Sequence, residues 1–249
     1  MGPIKNVIVA IAMEAEAHPF VEHLGLKAYP DLFPSTVPFQ AYRGTHGEAT
    51  VTVVTNGKDA VYSTGVDNCG TVPAALATFL ALEKSPECDI LVNAGTAGGF
   101  GRMGGTIGDV YLTSAVANHD RRIPIPAFVP YGVGKLDAKF DVAKLAAALD
   151  FKVGTCTTGN SLDKTPEDDK HMQANEAVVK DMEAAAIAWS CALHNQTPFL
   201  GVKVVTDIVD GGVATQDEFL ANLAAASQSL QAALPKILDY IIGKNVEDL

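Results

Sequence analysis

The chain has 249 residues, 48 % of them hydrophobic and 19 % charged, which excludes a disordered polypeptide and provides ample apolar surface for a packed core. A net charge of −11 argues against nucleic acid and anionic membrane as partners, since both demand clustered Lys and Arg. The one basic pair in mid-chain, Arg121-Arg122, is too small for that, and no apolar stretch reaches the roughly 18 residues of a membrane span.

The first apolar run, VIVAIAM (residues 7–13), reads as a buried strand. Glu14 and Glu16 follow it, and it lacks the basic start of a signal peptide. Further strand-like runs occupy residues 50–55, 89–94, 109–116 and 199–205, with helical patterns between them at 15–24, 66–84, 141–149 and 182–194. The alternation predicts the α/β class, a sheet with helices on both faces. A last helix should start at TQDE (215–218), which fits a capping box. Phe219, Leu220 and Leu223 open its apolar face, and Pro235 should kink or split it. With no linker, repeat or low-complexity tract, residues 1–249 read as one domain. The four cysteines are far apart and form no C-x-x-C pair, as in reduced thiols of a cytoplasmic protein. Residues 119–135, HDRRIPIPAFVPYGVGK, form a loop of unusual apolarity. It reads equally as a loop folded on its own core or as a pocket wall or subunit contact.

Several motifs are weaker than they look. GFGRMG (99–104) matches G-x-G-x-x-G, but strand-like sequence follows where a dinucleotide site needs a helix. The six histidines include no H-E-x-x-H, so no metal site is expected. NAGTAGG (93–99) reads as a small-residue turn after a buried strand, where backbone can approach a ligand. Three acids each border an apolar run: Glu16 after the first strand, Glu183 at the head of MEAAAIAWSCAL, and Asp207 in TDIVDG. Singly each has an ordinary explanation, since a helix first turn favours a carboxylate by about 0.3–1 kcal/mol and Asp starts turns. Asp181 suits the N-cap of the helix behind Glu183. Together with Thr96, the three acids fall on one predicted rim, beyond the carboxyl ends of the strands, where α/β sheets bind ligands.

In this order, AMEAE, NAGTAGG, TGNSLD, KDMEAAAIA and KVVTDIVDG resemble the 5′-methylthioadenosine nucleosidases of the purine nucleoside phosphorylase superfamily. HDRRIPIPAF and VTDIVDG bring the plant-type branch nearest. The resemblance implies a three-layer α/β/α sandwich around a central mixed sheet, a homodimer, no cofactor, and hydrolysis of methylthioadenosine to adenine and methylthioribose. It casts Asp207 as the acid that protonates adenine, Thr206 as its support, and Glu16 as the residue that positions or deprotonates water. Met182 and Glu183 would bind the ribose, Met13 and Thr96 would line its side, and Leu162 would meet adenine through its backbone. Phe219 would close over the nucleoside, and Ile123, Pro126 and Phe128 would shape the 5′ pocket or reach the neighbouring subunit. Two positions depart from relatives: Asn160 stands where Asp is common, and Lys203 where bacterial members have Arg.

These residue types suit the reaction. Cleaving a ribosyl–adenine bond passes through an oxocarbenium-like transition state. Adenine leaves poorly as an anion, so an acid must remain protonated near neutrality, and burial beside other carboxylates moves a carboxyl that way. An ionised Glu183 would orient the ring and set negative charge by the developing cation. Phosphorylases of the superfamily hold phosphate with arginines, one at the position of Asn93. Here NAGT stands at that place and the acidic MEAE replaces the N-terminal phosphate loop, which favours hydrolysis. A phosphorylase of the same nucleoside and a non-enzymatic nucleoside-binding or storage protein are the alternatives. Whether S-adenosylhomocysteine is also cleaved depends on the width of the 5′ pocket.

Overall fold

The apolar runs pair into one mixed sheet in the computed structural model, which describes residues 2–249. In chain order the elements are β1 (Asn6–Ile11), α1 (Glu14–His23), β2 (Lys27–Ala28), β3 (Gln40–His46), β4 (Ala49–Thr55), α2 (Thr71–Lys84), β5 (Ile90–Gly99) and β6 (Val110–Asn118). They continue with α3 (Val129–Val133), β7 (Leu136–Asp137), α4 (Val142–Leu149), β8 (Lys152–Thr158), α5 (Pro166–Ala174), β9 (Ala177–Asp181), α6 (Ala184–Leu193), β10 (Phe199–Ile208) and α7 (Thr215–Ile241).

Strand alternation builds the three layers. Val7, Val9 and Ile11 of β1 pack with α1, α4 and α7 on one face of the sheet. Ile8 and Ala10, on the opposite side of the pleat, pack with α2 and α6. The strands run in the order β10-β6-β8-β9-β5-β1-β4-β3-β2, and β10 also pairs with β5. One end of the sheet therefore closes on itself. β5 is the hinge of this arrangement: Ile90 to Asn93 pair with β1, while Gly98 and Gly99 pair with β9.

Several sequence expectations are corrected. NAGTAGG is no turn, because β5 runs to Gly99 and pairs with β10 along that length. The TQDE capping box does not form: Ala214 is the N-cap, and the Glu218 carboxylate instead accepts the Ile208 N–H at 2.7 Å. A capping box occurs instead at Thr165–Asp168, before α5. Pro235 does not split α7, which runs through it. Interior proline costs about 3 kcal/mol, and the burial of Leu230, Leu234, Ile237, Leu238 and Ile241 offsets that. The helix expected at 66–84 starts only at Thr71. The strands β2, β3, β7 and β8 and the helices α3 and α5 escaped the reading, their sequences being short, polar or interrupted by Gly or Pro.

Candidate active site

The carboxyl ends of β1, β5, β9 and β10 surround a cavity of about 210 Å³. Nine of the predicted residues line it: Met13, Glu16, Thr96, Leu162, Met182, Glu183, Thr206, Asp207 and Phe219.

Glu16 enters from the first turn of α1. The Thr96 backbone N–H and hydroxyl both donate to its Oε1, at 2.7 and 2.6 Å. Burial pushes its pKa above the ordinary value, against the pull of those two donors and of Lys203. A Cβ placed on Gly95 would lie 3.5 Å from Glu16 Oε2 and 3.8 Å from Lys203 Nζ, so both charged groups converge over that glycine.

Glu183 occupies the N-cap position of α6 but makes no cap hydrogen bond there. Its Oε1 accepts the Gly70 N–H at 2.7 Å, from the start of α2. Gly70 has φ of +103°, a conformation that glycine adopts without steric cost. The sequence suggested Asp181 as the N-cap; it lies two residues earlier, yet it supplies the capping hydrogen bond, its Oδ2 accepting the Ala184 N–H at 2.8 Å. The same oxygen is 2.8 Å from Lys203 Nζ, and Oδ1 accepts the Thr158 hydroxyl at 2.6 Å. Burial alone would raise Asp181, but Lys203, Thr158 and Ala184 outweigh it and hold the carboxyl below its usual range. Glu183 goes the other way. Burial first, and then the neighbouring Asp181 charge, push it up to about 7.

Asp207 and Thr206 are consecutive in a strand, yet both face the cavity. A register shift in β10 between Val205 and Asp207 explains this, since a bulge re-aims the side chains at it. The Thr206 hydroxyl donates to Asp207 Oδ1 at 2.8 Å. Burial raises the Asp207 pKa, opposed by Thr206 and by Lys180.

Three predicted residues do not reach this cavity in the single chain. Ile123 lines a separate pocket of about 400 Å³ with Arg121, Arg122 and His171. Pro126 and Phe128 lie exposed on a short 3-10 turn. Arg121 accounts for the course of the loop: its guanidinium donates to the carbonyls of Tyr131 at 2.6 Å and Gly132 at 3.2 Å, folding the segment back on itself. The departure at Asn160 also lies outside the cavity. Its Oδ1 accepts the Thr71 N–H and hydroxyl, each at 2.9 Å, and so caps α2.

Sequence reasoning gave no site role to Asn93, Lys180 and Lys203, all of which line the cavity. Asn93 Nδ2 donates to the Ala10 carbonyl at 3.1 Å, and its buried Oδ1 has no partner among the described residues. The signal for the lysines was a charge inside a run of β-branched residues, VVK and VKVV. A charge buried in a strand requires a partner, and the partner has to come from elsewhere in the fold.

The family model of the phosphorylase superfamily matches residues 6–239. The chain is 43 % identical to the 5′-methylthioadenosine nucleosidase of Arabidopsis thaliana over 250 residues, covering 100 % of this chain and 92 % of that protein. It is 42 % identical to a 5′-methylthioadenosine/S-adenosylhomocysteine nucleosidase of the same plant, over 99 % of this chain and 96 % of that one. The apo structure of the Arabidopsis thaliana 5′-methylthioadenosine nucleosidase superposes with a TM-score of 0.94, at 43 % identity, over 99 % of this chain and 100 % of that one. With matches of this extent, the chain belongs to the phosphorylase superfamily and, within it, to the 5′-methylthioadenosine nucleosidase family.

Proposed function

We propose that this protein hydrolyses the N-glycosidic bond of 5′-methylthioadenosine, releasing adenine and 5-methylthioribose for methionine salvage. The observation that carries this reading is the convergence of Glu16, Glu183 and Asp207 on one cavity in three different settings. Asp207, raised by burial, gives its proton to the departing adenine, so the base leaves neutral. Glu16 holds the attacking water and takes its proton as the C–O bond forms and the C–N bond breaks. Glu183, with one oxygen anchored on Gly70, binds the ribose hydroxyls through the other, and Met182 packs beneath the sugar. Ionised, Glu183 also stabilises the developing oxocarbenium charge. Leu162 and Phe219 border the base and the mouth of the site.

Hydrolysis is favoured over phosphorolysis by the charge at the water position. A buried Glu16 repels a phosphate dianion, and the nearby cation, Lys203, is already paired with Asp181. Adenine release is therefore expected at full rate in phosphate-free buffer and unchanged by added phosphate. A strict phosphate requirement would make the protein a phosphorylase, and binding of methylthioadenosine without any adenine release would make it a non-enzymatic nucleoside binder. S-adenosylhomocysteine assayed beside methylthioadenosine tests the second substrate.

The reading includes a single domain that works as a homodimer in the cytoplasm. The thiols of Cys69, Cys88, Cys156 and Cys191 are all free, and no helix of the described residues is long and apolar enough to cross a membrane. Support for the dimer comes from a groove of about 840 Å³ lined by Val72, Leu76 and Phe79 of α2, Trp189 and Leu193 of α6, and Tyr131. Val72 is 77 % exposed and Leu193 55 % in the single chain, an apolar surface that fits a second copy. Tyr131 and Arg121 line this groove too, so a two-fold contact there brings Ile123, Pro126 and Phe128 towards the partner's 5′ pocket. Trp189→Glu is expected to give monomers in sedimentation velocity; an unchanged dimer would move the interface elsewhere.

A further inference from the structure

Three residues form a row across the sheet at the floor of the cavity. Gly98 of β5 pairs with Lys180 of β9 on one side and with Asp207 of β10 on the other. Directly paired residues project to the same face, and two strand spacings separate Lys180 from Asp207 by about 10 Å between Cα atoms. Glycine between them keeps the space open: a Cβ on Gly98 would stand 2.8 Å from Asp207 Oδ2 and 2.5 Å from Val209 Cγ2. Lys180 is only 5 % exposed, and its ammonium donates to the carbonyls of Ser161 and Leu162, both at 2.7 Å. An ammonium has three donors, and these carbonyls take two. Both Lys180 and Leu162 line the cavity.

We propose that Lys180 is a positioning residue that joins the base-side loop to the proton-donating carboxyl, gripping the loop by two consecutive carbonyls and presenting its cation to Asp207 across Gly98. The proposal rests on Asp207 acting as the acid. It goes further by assigning the tuning of that acid, and the placement of the Leu162 backbone, to one side chain. The titratable groups around the pair are Asp163, Asp168, Asp181, Glu218 and His119. Burial lowers the Lys180 pKa against the pull of Asp207, Asp181, Asp163 and Asp168. Asp207 is raised by burial and by Glu218, and lowered by Thr206 and Lys180. His119 also feels the Lys180 charge, though burial is the main cause of its fall to about 4. Removing the Lys180 cation therefore raises Asp207 further. Activity that needs protonated Asp207 is lost as pH rises through its pKa, so that alkaline limb moves upward.

The test compares wild type, Lys180→Met, Lys180→Gln and Lys180→Arg by the pH dependence of kcat/KM for adenine release, with folding followed by circular dichroism. Lys180→Met is expected to raise KM about tenfold, the worth of a charge-assisted hydrogen bond. The alkaline limb should move up by at least about half a pH unit, whereas Lys180→Arg keeps the limb in place. If the Met variant does not fold, Lys180→Gln carries the comparison. An unmoved limb in the neutral variants overturns the proposal, as does an equal shift in Lys180→Arg. Asp207→Asn measured in parallel separates the two readings. If that variant is inactive and the limb does not respond to Lys180, the Lys180 proposal alone fails; if it is fully active, the acid assignment fails first.

Discussion

Asp207→Asn is expected to fold and to bind methylthioadenosine, and to lower kcat by about 10²–10⁴-fold, the usual weight of a general acid. Asparagine preserves the shape of the side chain and can still accept the Thr206 hydroxyl, now 2.8 Å from Oδ1. It has no acidic proton to give, so adenine would have to leave as an anion. Steady-state adenine release with calorimetric binding of the nucleoside checks this, and undiminished turnover would remove Asp207 from the role. The pH profile follows from the same geometry. In the proposed mechanism Asp207 must keep its proton, and burial raises its pKa in that direction. Glu16 must lose its own, and it too is raised by burial, though Thr96 and Lys203 oppose this. The kcat/KM profile is therefore expected to be bell-shaped, and in Asp207→Asn the alkaline limb should vanish from whatever activity remains.

Lys203→Met is expected to destabilise the fold by about 3–5 kcal/mol near neutral pH, because it leaves a buried charge without its partner. Lys203 is 2.8 Å from Asp181, and its charge also acts on Glu16 and Glu183. Three carboxyls would then share a buried region without the cation that pairs with Asp181 and acts on the other two. The sign of the pH dependence distinguishes this from lost packing. In the wild type Asp181 is lowered, so its contribution is present above the unfolded pKa of about 3.8 and is lost as pH falls through the lower folded value. In the variant the folded state holds protons that the unfolded chain has released, so stability falls as pH rises from about 4 towards neutrality. Denaturation at pH 5 and pH 7.5 should show a markedly smaller loss at the lower pH. An equal loss at both would leave only packing to explain it.

Glu183 is expected to act in this direction in the wild type. Its pKa is raised from 4.5 to about 7, so the folded state binds the extra proton between those values and its contribution to stability declines as pH rises across that window. As the proposed ribose clamp, Glu183 would thus be held on Gly70 at some expense to the ligand-free fold.

The sequence alone determined the class of the fold and the three acids. Val7, Val9 and Ile11 alternating with Ile8 and Ala10 already specify a strand covered on both faces, and that local period survives into the structure because each residue's environment follows from its neighbours in the chain. Glu16, Glu183 and Asp207 were legible for a related reason: each interrupts an apolar run at the point where a strand ends or a helix begins. Pairings between distant segments were not legible. Lys203, Asp181 and Thr158 lie on β10, β9 and β8, and nothing local says that the charge in VKVV belongs to the carboxylate in VVKD. The bulge that turns both Thr206 and Asp207 to the cavity arises from the register of β10 on β5. The Glu218 carboxylate, suited to a capping box in isolation, is drawn to Ile208 once α7 docks on β10. Ile123, Pro126 and Phe128 leave the cavity because Arg121 binds their loop to its own far end. Periodicity and end signals are properties of a few consecutive residues. The partners of buried charges, the registers of strands and the course of a long loop are settled only when remote segments meet, because burial makes an unpaired polar group too costly to leave unpaired.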